Sequence, residues 1–533
     1  MGRAMSGSEI GRRTASVART GGMFARSGLW RPGPPLRVAR QLGALRKWGT
    51  VLGGTVASAA ARDPDRVAVI DHLGELTYGE LDARTDRLAA QVRGKVVAVL
   101  CRNHRGMIEA LAACGKAGAD LVLMNTGMSV EQLVLVVEEQ QVGVVIADEE
   151  FGGFLEALPD GVRTLTDAEL EALVADDAGA TVEPPAKTGR TIVLSSGTTG
   201  RPKGADRKSR PGLSPLTSIL SRIPYRVHER MLIEAPLFHT WGYAMLQVAI
   251  SLRATIVLRP RFDPAETLRT IAETEATALV AVPVMLQRVL DVPDRPAVPS
   301  LRIAAVSGSA LPATLATAFM DEFGDVLYNL YGSTEASWVT IATPADLRAA
   351  PDTAGTPPPG TRVAILDESG ERVPAGTVGR IFAANELLFA GYTSGAAKEM
   401  RDGMIGLGDV GRIDEHGRLF VHGRDDDMIV SGGENVFPGA IEEVIEGLPD
   451  VREVAVTGVP DEEFGQRAAA FVVLRDGASP DADAVRAHVR DHLARFAVPR
   501  DVHFVAELPR NATGKVVRRR LSAESEGDSR TVT

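Results

Sequence analysis

Residues 195–204 read Ser-Ser-Gly-Thr-Thr-Gly-Arg-Pro-Lys-Gly, a run of hydroxyls and glycines closed by a lysine. Backbone N–H groups presented by such a loop bind anions, phosphate above all. Gly197 and Gly200 let the backbone approach a phosphate closely, Ser195, Ser196, Thr198 and Thr199 add donors, and Lys203 adds a positive point charge. The spacing is not that of the Walker loop, Gly-x4-Gly-Lys-Ser/Thr, because Pro202 precedes the lysine and Gly204 follows it. Ser/Thr/Gly runs also serve as flexible linkers. Here the loop directly follows Thr191-Ile-Val-Leu194, which reads as a buried strand, so a ligand role fits better.

Five further segments carry chemistry in a fixed order: Pro236-Leu-Phe-His-Thr240, Tyr331-Gly-Ser-Thr-Glu335, Gly408-Asp409 with Gly411-Arg412, Gly423-Arg424 through Ser431-Gly-Gly-Glu-Asn-Val436, and Leu508-Pro-Arg-Asn-Ala-Thr-Gly-Lys515. Together with the first loop they resemble the adenylate-forming (AMP-binding) superfamily, which includes acyl-CoA synthetases, aryl-CoA ligases, luciferases and the adenylation domains of peptide synthetases. The resemblance runs from about residue 55 to about residue 521 and is closest to bacterial fatty-acid–CoA ligases.

The resemblance implies the chemistry. A carboxylate is a poor electrophile, so its oxygen attacks the α-phosphate of ATP, pyrophosphate leaves, and a thiol then displaces AMP from the acyl-adenylate. Bringing a carboxylate against a polyanion requires positive charge and a metal. By resemblance the 195–204 loop holds the β- and γ-phosphates, Thr334 contacts the α-phosphate, and Glu335 ligates Mg²⁺, a hard cation that prefers oxygen. Taken alone, Glu335 also reads as an acid at a helix N-terminus after Ser333. Tyr331 and the Gly308-Ser309-Ala310 turn resemble an adenine slot, and Gly332 and Ser333 beside Tyr331 are carried over as nucleotide-binding positions. Asp409 and Arg424 match ribose-binding positions, although Leu407 and Met404 stand where the family commonly has Thr and Trp. Lys515 matches the lysine that bridges the acid and the α-phosphate. Asp426 matches a hinge whose rotation would bring the loop around Gly432 and Gly433 against the pantetheine arm of coenzyme A. His239 is assigned to positioning the acid rather than to general-base catalysis.

The elements that must position these groups follow from hydrophobic patterning. Val96–Leu100, Val142–Ala147 and Arg302–Val306 read as buried strands, a helix is expected around Met107–Ala117, and Thr77 caps another with Glu80 in its first turn. Alternation of this kind predicts an α/β chain with largely parallel sheets. From Gly355 to Gly423 short runs broken by Gly and Pro suit a small β-barrel or an antiparallel sheet. The expected fold is a large multi-subdomain N-terminal adenylation domain (layered α/β sheets plus the small β-barrel) at 55–424 and a small mobile α+β C-terminal domain at 425–521. Residues 1–54 read as a basic leader, partly disordered or an amphipathic helix, and 522–533 as a disordered tail.

The leader holds ten Lys/Arg in its first fifty residues against Glu9 alone, in a chain of 533 residues whose net charge is −10. An acidic body gives no support for nucleic-acid binding. Leu36, Ala39, Leu42 and Leu45 fall on one helical face flanked by Arg37, Arg40, Arg46 and Lys47, which suits either peripheral membrane contact or docking on the chain itself. Cys101 and Cys114 read as buried thiols of a reducing compartment, so a cytoplasmic location is expected, with the leader at the inner membrane face as its elaboration. Ala235–Leu252 is free of charged residues, but Pro236, His239 and Gln247 argue for a strand, a loop and a pocket-lining helix rather than a span.

The expected activity is ATP-dependent ligation of a medium- or long-chain fatty acid to coenzyme A. Trp241, Gly242, Tyr243 and Met245 are the pocket candidates, with no Lys or Arg among them. The alternatives are an acyl-AMP ligase that loads an acyl-carrier protein and an aryl-CoA ligase. An inactive membrane-bound adaptor is a third class, against which Lys515 and Glu335 both argue.

Overall fold

The computed structural model describes residues 20–175, 182–195, 203–207, 214–393, 395, 397–431, 434–461 and 465–521. Strands of two to seven residues assemble two large mixed sheets. In the first the order runs Ser337–Ala342, Leu327–Ser333, Ile303–Val306, Ala278–Ala281, Arg230–Ile233, Thr255–Val257, Val67–Asp71 and Gly74–Thr77. In the second it runs Gly391–Tyr392, Lys203–Arg207, Thr191–Ser195, Asp120–Leu123, Val96–Leu100, Val144–Ala147 and Arg163–Thr166. The central strands of both sheets pair in parallel, as βαβ crossovers require, while Lys203–Arg207 is antiparallel to both its neighbours. Their Val, Ile and Leu side chains are covered on both faces, which explains the unbroken apolar runs in the sequence.

Helices supply that cover. Thr77 and Glu80 form a reciprocal capping box that starts Tyr78–Val92, and Gly118, at φ 67°, ends Arg105–Ala117. One continuous apolar core joins these two helices to Leu52–Arg62 and Thr240–Ser251, and contains side chains from both large sheets. Tyr78 is fully buried within it and donates to the carbonyl of Ala254 at 2.7 Å. Cys101 and Cys114 are buried free thiols, both pushed up by burial.

Residues 362–424 form a five-stranded sheet with antiparallel pairing throughout: Arg362–Leu366, Gly379–Ala384, Met404–Ile413 and Met400–Arg401, with Leu419–Arg424 also on Met404–Ile413. Among the described residues its edge strands do not pair with each other, so the region is a sheet rather than a closed barrel. A smaller sheet of Ile429–Ser431, Glu434–Val436, Val451–Asp461, Gly465–Leu474 and Asp501–Phe504 carries helices Pro438–Glu446 and Ala482–His492 and has its own core. The architecture is that expected of adenylate-forming enzymes: a large α/β body and a small α+β C-terminal unit.

Pro35–Trp48 is a helix, packed on Leu52–Arg62, while Leu36 and Leu42 of its apolar stripe remain exposed. Thr240–Ser251 is a buried helix that follows strand Arg230–Ile233 and a loop, and no described helix is long and apolar enough to cross a membrane. Residues 1–19 and 522–533, expected to be leader and tail, lie outside the described residues.

Candidate active site

The C-terminal lysine is delivered by a short turn. Gly514 has φ 81°, the Asn511 Oδ1 accepts from the backbone N–H of Thr513 and of Lys515 at 3.0 Å each, and Asn511 N donates to Lys515 O at 2.9 Å. A side chain at 514 would strike Val284 and Val282 at about 3 Å, so the turn lies directly on the large domain. It closes one end of a cavity of about 580 Å³. Lys515, Asn511 and Thr513 line it from the small unit; His239, Trp241, Thr334, Glu335 and Asp409 line it from the large one; and Arg424, Asp426 and Asp427 line it from the connection between them.

Each wall has a local cause. Asn103 ties down the loop before Thr240–Ser251: its amide donates to the carbonyls of Ile233 and Ala235, and its oxygen accepts from Leu237 N at 2.9 Å. His239 then caps the helix, accepting from Trp241 N through Nδ1. Thr240 Oγ1 is buried with no partner among the described residues, and Thr240 lines the cavity. Glu335 sits at the tip of a β-hairpin between Leu327–Ser333 and Ser337–Ala342, not at a helix N-terminus. A Cβ at Gly332 would lie 1.7 Å from the Ser337 carbonyl oxygen, so only glycine fits this close approach of the hairpin strands.

Glu335 is 9% exposed. Burial raises its carboxyl, but the Tyr392 hydroxyl that donates to it, Lys398 at 3.8 Å and Ser333 outweigh this and hold it below the usual range. A buried, ionised, acceptor-only group facing a cavity fits a hard divalent cation. Asp409 lies opposite Arg424 in the strand register, accepts from Tyr331 Oη at 2.5 Å and pairs with Arg424 Nη1 at 3.4 Å. Burial raises its carboxyl, an effect that Tyr331, Arg424 and Lys515 only partly offset. Arg424 also donates through Nε to Asp426 at 3.0 Å, which links the Asp409–Arg424 pair to the segment joining the two units.

Lys515, Glu335, Thr334, His239, Asp409, Arg424, Asp426, Gly308, Gly332 and Ser333 thus share one cavity. Ser309 and Ala310 continue the turn after Gly308, and Tyr331 stands behind Asp409 with its hydroxyl on that carboxylate. Ser195 and Lys203 are paired across a hairpin. Ser196, Gly197, Thr198, Thr199 and Gly200 between them, like Gly432 and Gly433, lie outside the described residues.

Among the pocket candidates, Trp241 lines the cavity and Met245 is buried in the core. Gly242 is a correction. A Cβ there would lie 2.3 Å from the Pro236 carbonyl oxygen, so this glycine packs helix against loop and offers no room for a substrate. Ala244, three residues on from Trp241 and on the same helical face, lines the cavity instead. Tyr392, Lys398 and Asn103 escaped sequence reading, because each sits far along the chain from the motif it supports.

This fold and cavity define an adenylate-forming enzyme, and the chain belongs to the AMP-binding enzyme family: residues 56–393 match that family and 440–515 match its C-terminal domain. Among named relatives it is 34% identical over 481 residues to feruloyl-CoA synthase of an Amycolatopsis species, covering 88% of this chain and 97% of that one. It is 34% identical over 485 residues to 2-succinylbenzoate–CoA ligase of Geobacillus kaustophilus, covering 89% and 98%. The crystal structure of ATP-bound MatB from Rhodopseudomonas palustris superposes with a TM-score of 0.82 at 27% identity, over 90% of this chain and 99% of that one.

Proposed function

We propose that the chain is an AMP-forming acid–CoA ligase whose acid carries an aromatic or other ring system. The observation that carries the ligase reading is Lys515 in one cavity with Glu335, His239, Asp409 and Arg424. In this reading Asp409 and Arg424 hold the ribose of ATP, with Tyr331 fixing the carboxylate. The Gly308–Ala310 turn and Gly332–Ser333 flank the base, and the 195–204 loop with Lys203 holds the outer phosphates. Glu335 and Thr334 would hold Mg²⁺ and the α-phosphate, where the cation neutralises charge on the phosphates. Lys515 places its ammonium between the acid's carboxylate and the α-phosphate, His239 orients that carboxylate, and the buried Thr240 hydroxyl gains the partner it lacks. Rotation about Asp426 then withdraws Lys515 and brings the Gly432–Gly433 loop to the thiol of coenzyme A.

The relatives' names favour an aryl-CoA ligase over the fatty-acid enzyme expected from sequence, because feruloyl and 2-succinylbenzoyl groups both contain a ring. Peripheral membrane contact is retained as part of this proposal, resting on exposed Leu36 with Arg40, Arg46 and Lys47 on the same helix.

The test is CoA-dependent AMP release over ferulate, cinnamate, benzoate, 2-succinylbenzoate and straight-chain acids from acetate to stearate. Ring acids should exceed every alkanoate by about tenfold or more. Preference for decanoate would return the fatty-acid reading. AMP release that needs a carrier protein instead of CoA would overturn the ligase assignment in favour of a carrier-loading enzyme.

A further inference from the structure

We propose that a second, apolar chamber walled by the N-terminal helices is the far half of the acid-binding pocket, and that Arg62 binds an oxygen at the distal end of the acid. The proposal rests on the ligase reading above. The chamber measures about 590 Å³, close to the 580 Å³ of the catalytic cavity. Ala244, Ser337 and Trp338 line both and so stand at the boundary between them. Helix Thr240–Ser251 runs from one to the other: Trp241 and Ala244 face the catalytic cavity, while Ala244, Gln247, Val248 and Ser251 face the chamber. At 1.5 Å per residue this wall is roughly 16 Å long, which sets the length of acid that it can follow.

The opposite wall belongs to this chain's own N-terminal segment. Phe24, Leu29, Trp30, Val38, Leu42 and Leu45 all line the chamber and all precede residue 56, where the match to the family begins. Such a wall takes an elongated, rigid, apolar body. Its polar margin is specific. Arg253 is 4% exposed and neutralised by Asp63 at 2.7 Å. Arg62 is 8% exposed, donates through Nη2 to Arg31 O at 3.1 Å, and has no partner for Nη1 among the described residues. Arg31 and Glu386, the remaining charged groups of the wall, are solvent-exposed. A buried guanidinium with an unused N–H is held at a cost that an acceptor oxygen from the ligand removes. The substrate class is therefore an elongated ring-bearing carboxylic acid with a phenol, ketone or carboxylate at the end remote from the reacting group. The sequence reading placed no Lys or Arg beside the pocket; Arg62 reaches it only through the fold.

The experiment compares binding of 3-(4'-hydroxybiphenyl-4-yl)propanoate and 3-(biphenyl-4-yl)propanoate by calorimetry on the full chain, without CoA. Wild type should favour the hydroxylated acid by about tenfold or more, the size of a hydrogen bond to a charged donor. Arg62→Met should bring that ratio close to one, and Arg62→Lys should fall between. Leu45→Trp, which fills the chamber from a half-buried wall position, should weaken both biphenyl acids while leaving benzoate unchanged. ATP binding by each variant verifies the fold. An unchanged ratio in Arg62→Met, no binding of either biphenyl acid to wild type, or indifference of both to Leu45→Trp would overturn the proposal. Failure to form a thioester would count against the ligase reading alone, since binding is measured before turnover.

Discussion

The two cavities differ in everything but size. The one that holds Lys515 is walled by carboxylates, hydroxyls and that lysine at the meeting of the large and small units, and its charged groups are cross-linked: Tyr331 to Asp409, Arg424 to Asp409 and Asp426, Tyr392 and Lys398 to Glu335. The chamber is walled by Phe24, Leu29, Trp30, Leu42 and Leu45, and the guanidinium of its buried Arg62 is incompletely paired among the described residues. Chemistry common to every acid demands fixed charges at fixed places. Choice among acids demands only a shaped apolar space with a few polar groups. Substitutions in the first should therefore depress turnover of every acid, and substitutions in the second should reorder acids.

The largest expected effect is at Glu335. Glu335→Gln keeps the shape and removes the charge proposed to hold Mg²⁺, so pyrophosphate release should fall by about a hundredfold or more with ring acids and alkanoates alike. A loss confined to one class of acid would make Glu335 a pocket residue and erase the contrast between the two regions.

How much of this was legible in the sequence follows the same division. Lys515 and Glu335 announce themselves because each sits in a short turn or hairpin whose glycine is fixed by local geometry: Gly514 by its positive φ, Gly332 by the Ser337 carbonyl. Strands such as Val96–Leu100 and the Thr77 cap were equally local. Gly242, a pocket candidate by its place beside the His239 motif, instead meets the Pro236 backbone, a contact that only the fold creates. Arg62, Tyr392 and Lys398 carried no signal at all. Their partners lie tens of residues or more away, and only the packing of separate helices and sheets brings them together.

A smaller effect should follow deletion of residues 1–50. This removes most of the chamber's outer wall but nothing from the catalytic cavity, so KM for a biphenyl acid should rise about tenfold while benzoate is nearly unaffected. The truncated chain should also leave anionic vesicles that the full chain binds, and salt should mimic the deletion. Equal KM ratios in both forms would detach the N-terminal segment from substrate choice.

A separate effect, on stability rather than turnover, concerns the support beneath the loop that carries His239. Glu234, 4% exposed at the start of the segment leading to His239, accepts from Thr267 Oγ1 at 2.8 Å, and burial raises its carboxyl to about 7. With the folded value above the ordinary 4.5, its contribution is fully present below that pH and is lost as pH rises towards 7. Glu234→Gln does not titrate. Its stability relative to wild type should therefore increase between pH 5 and pH 8, by on the order of 3 kcal/mol at most. A constant difference in Tm across that range would show that Glu234 ionises normally.

The most direct measurement separates the half-reactions in Lys515→Ala. Lys515 is asked to act only while the carboxylate meets the α-phosphate, so acid-dependent pyrophosphate release should fall by about a hundredfold or more. Transfer to CoA from supplied acyl-adenylate should persist near the wild-type rate. Equal loss of both halves, or of neither, would contradict an adenylation site built around Lys515.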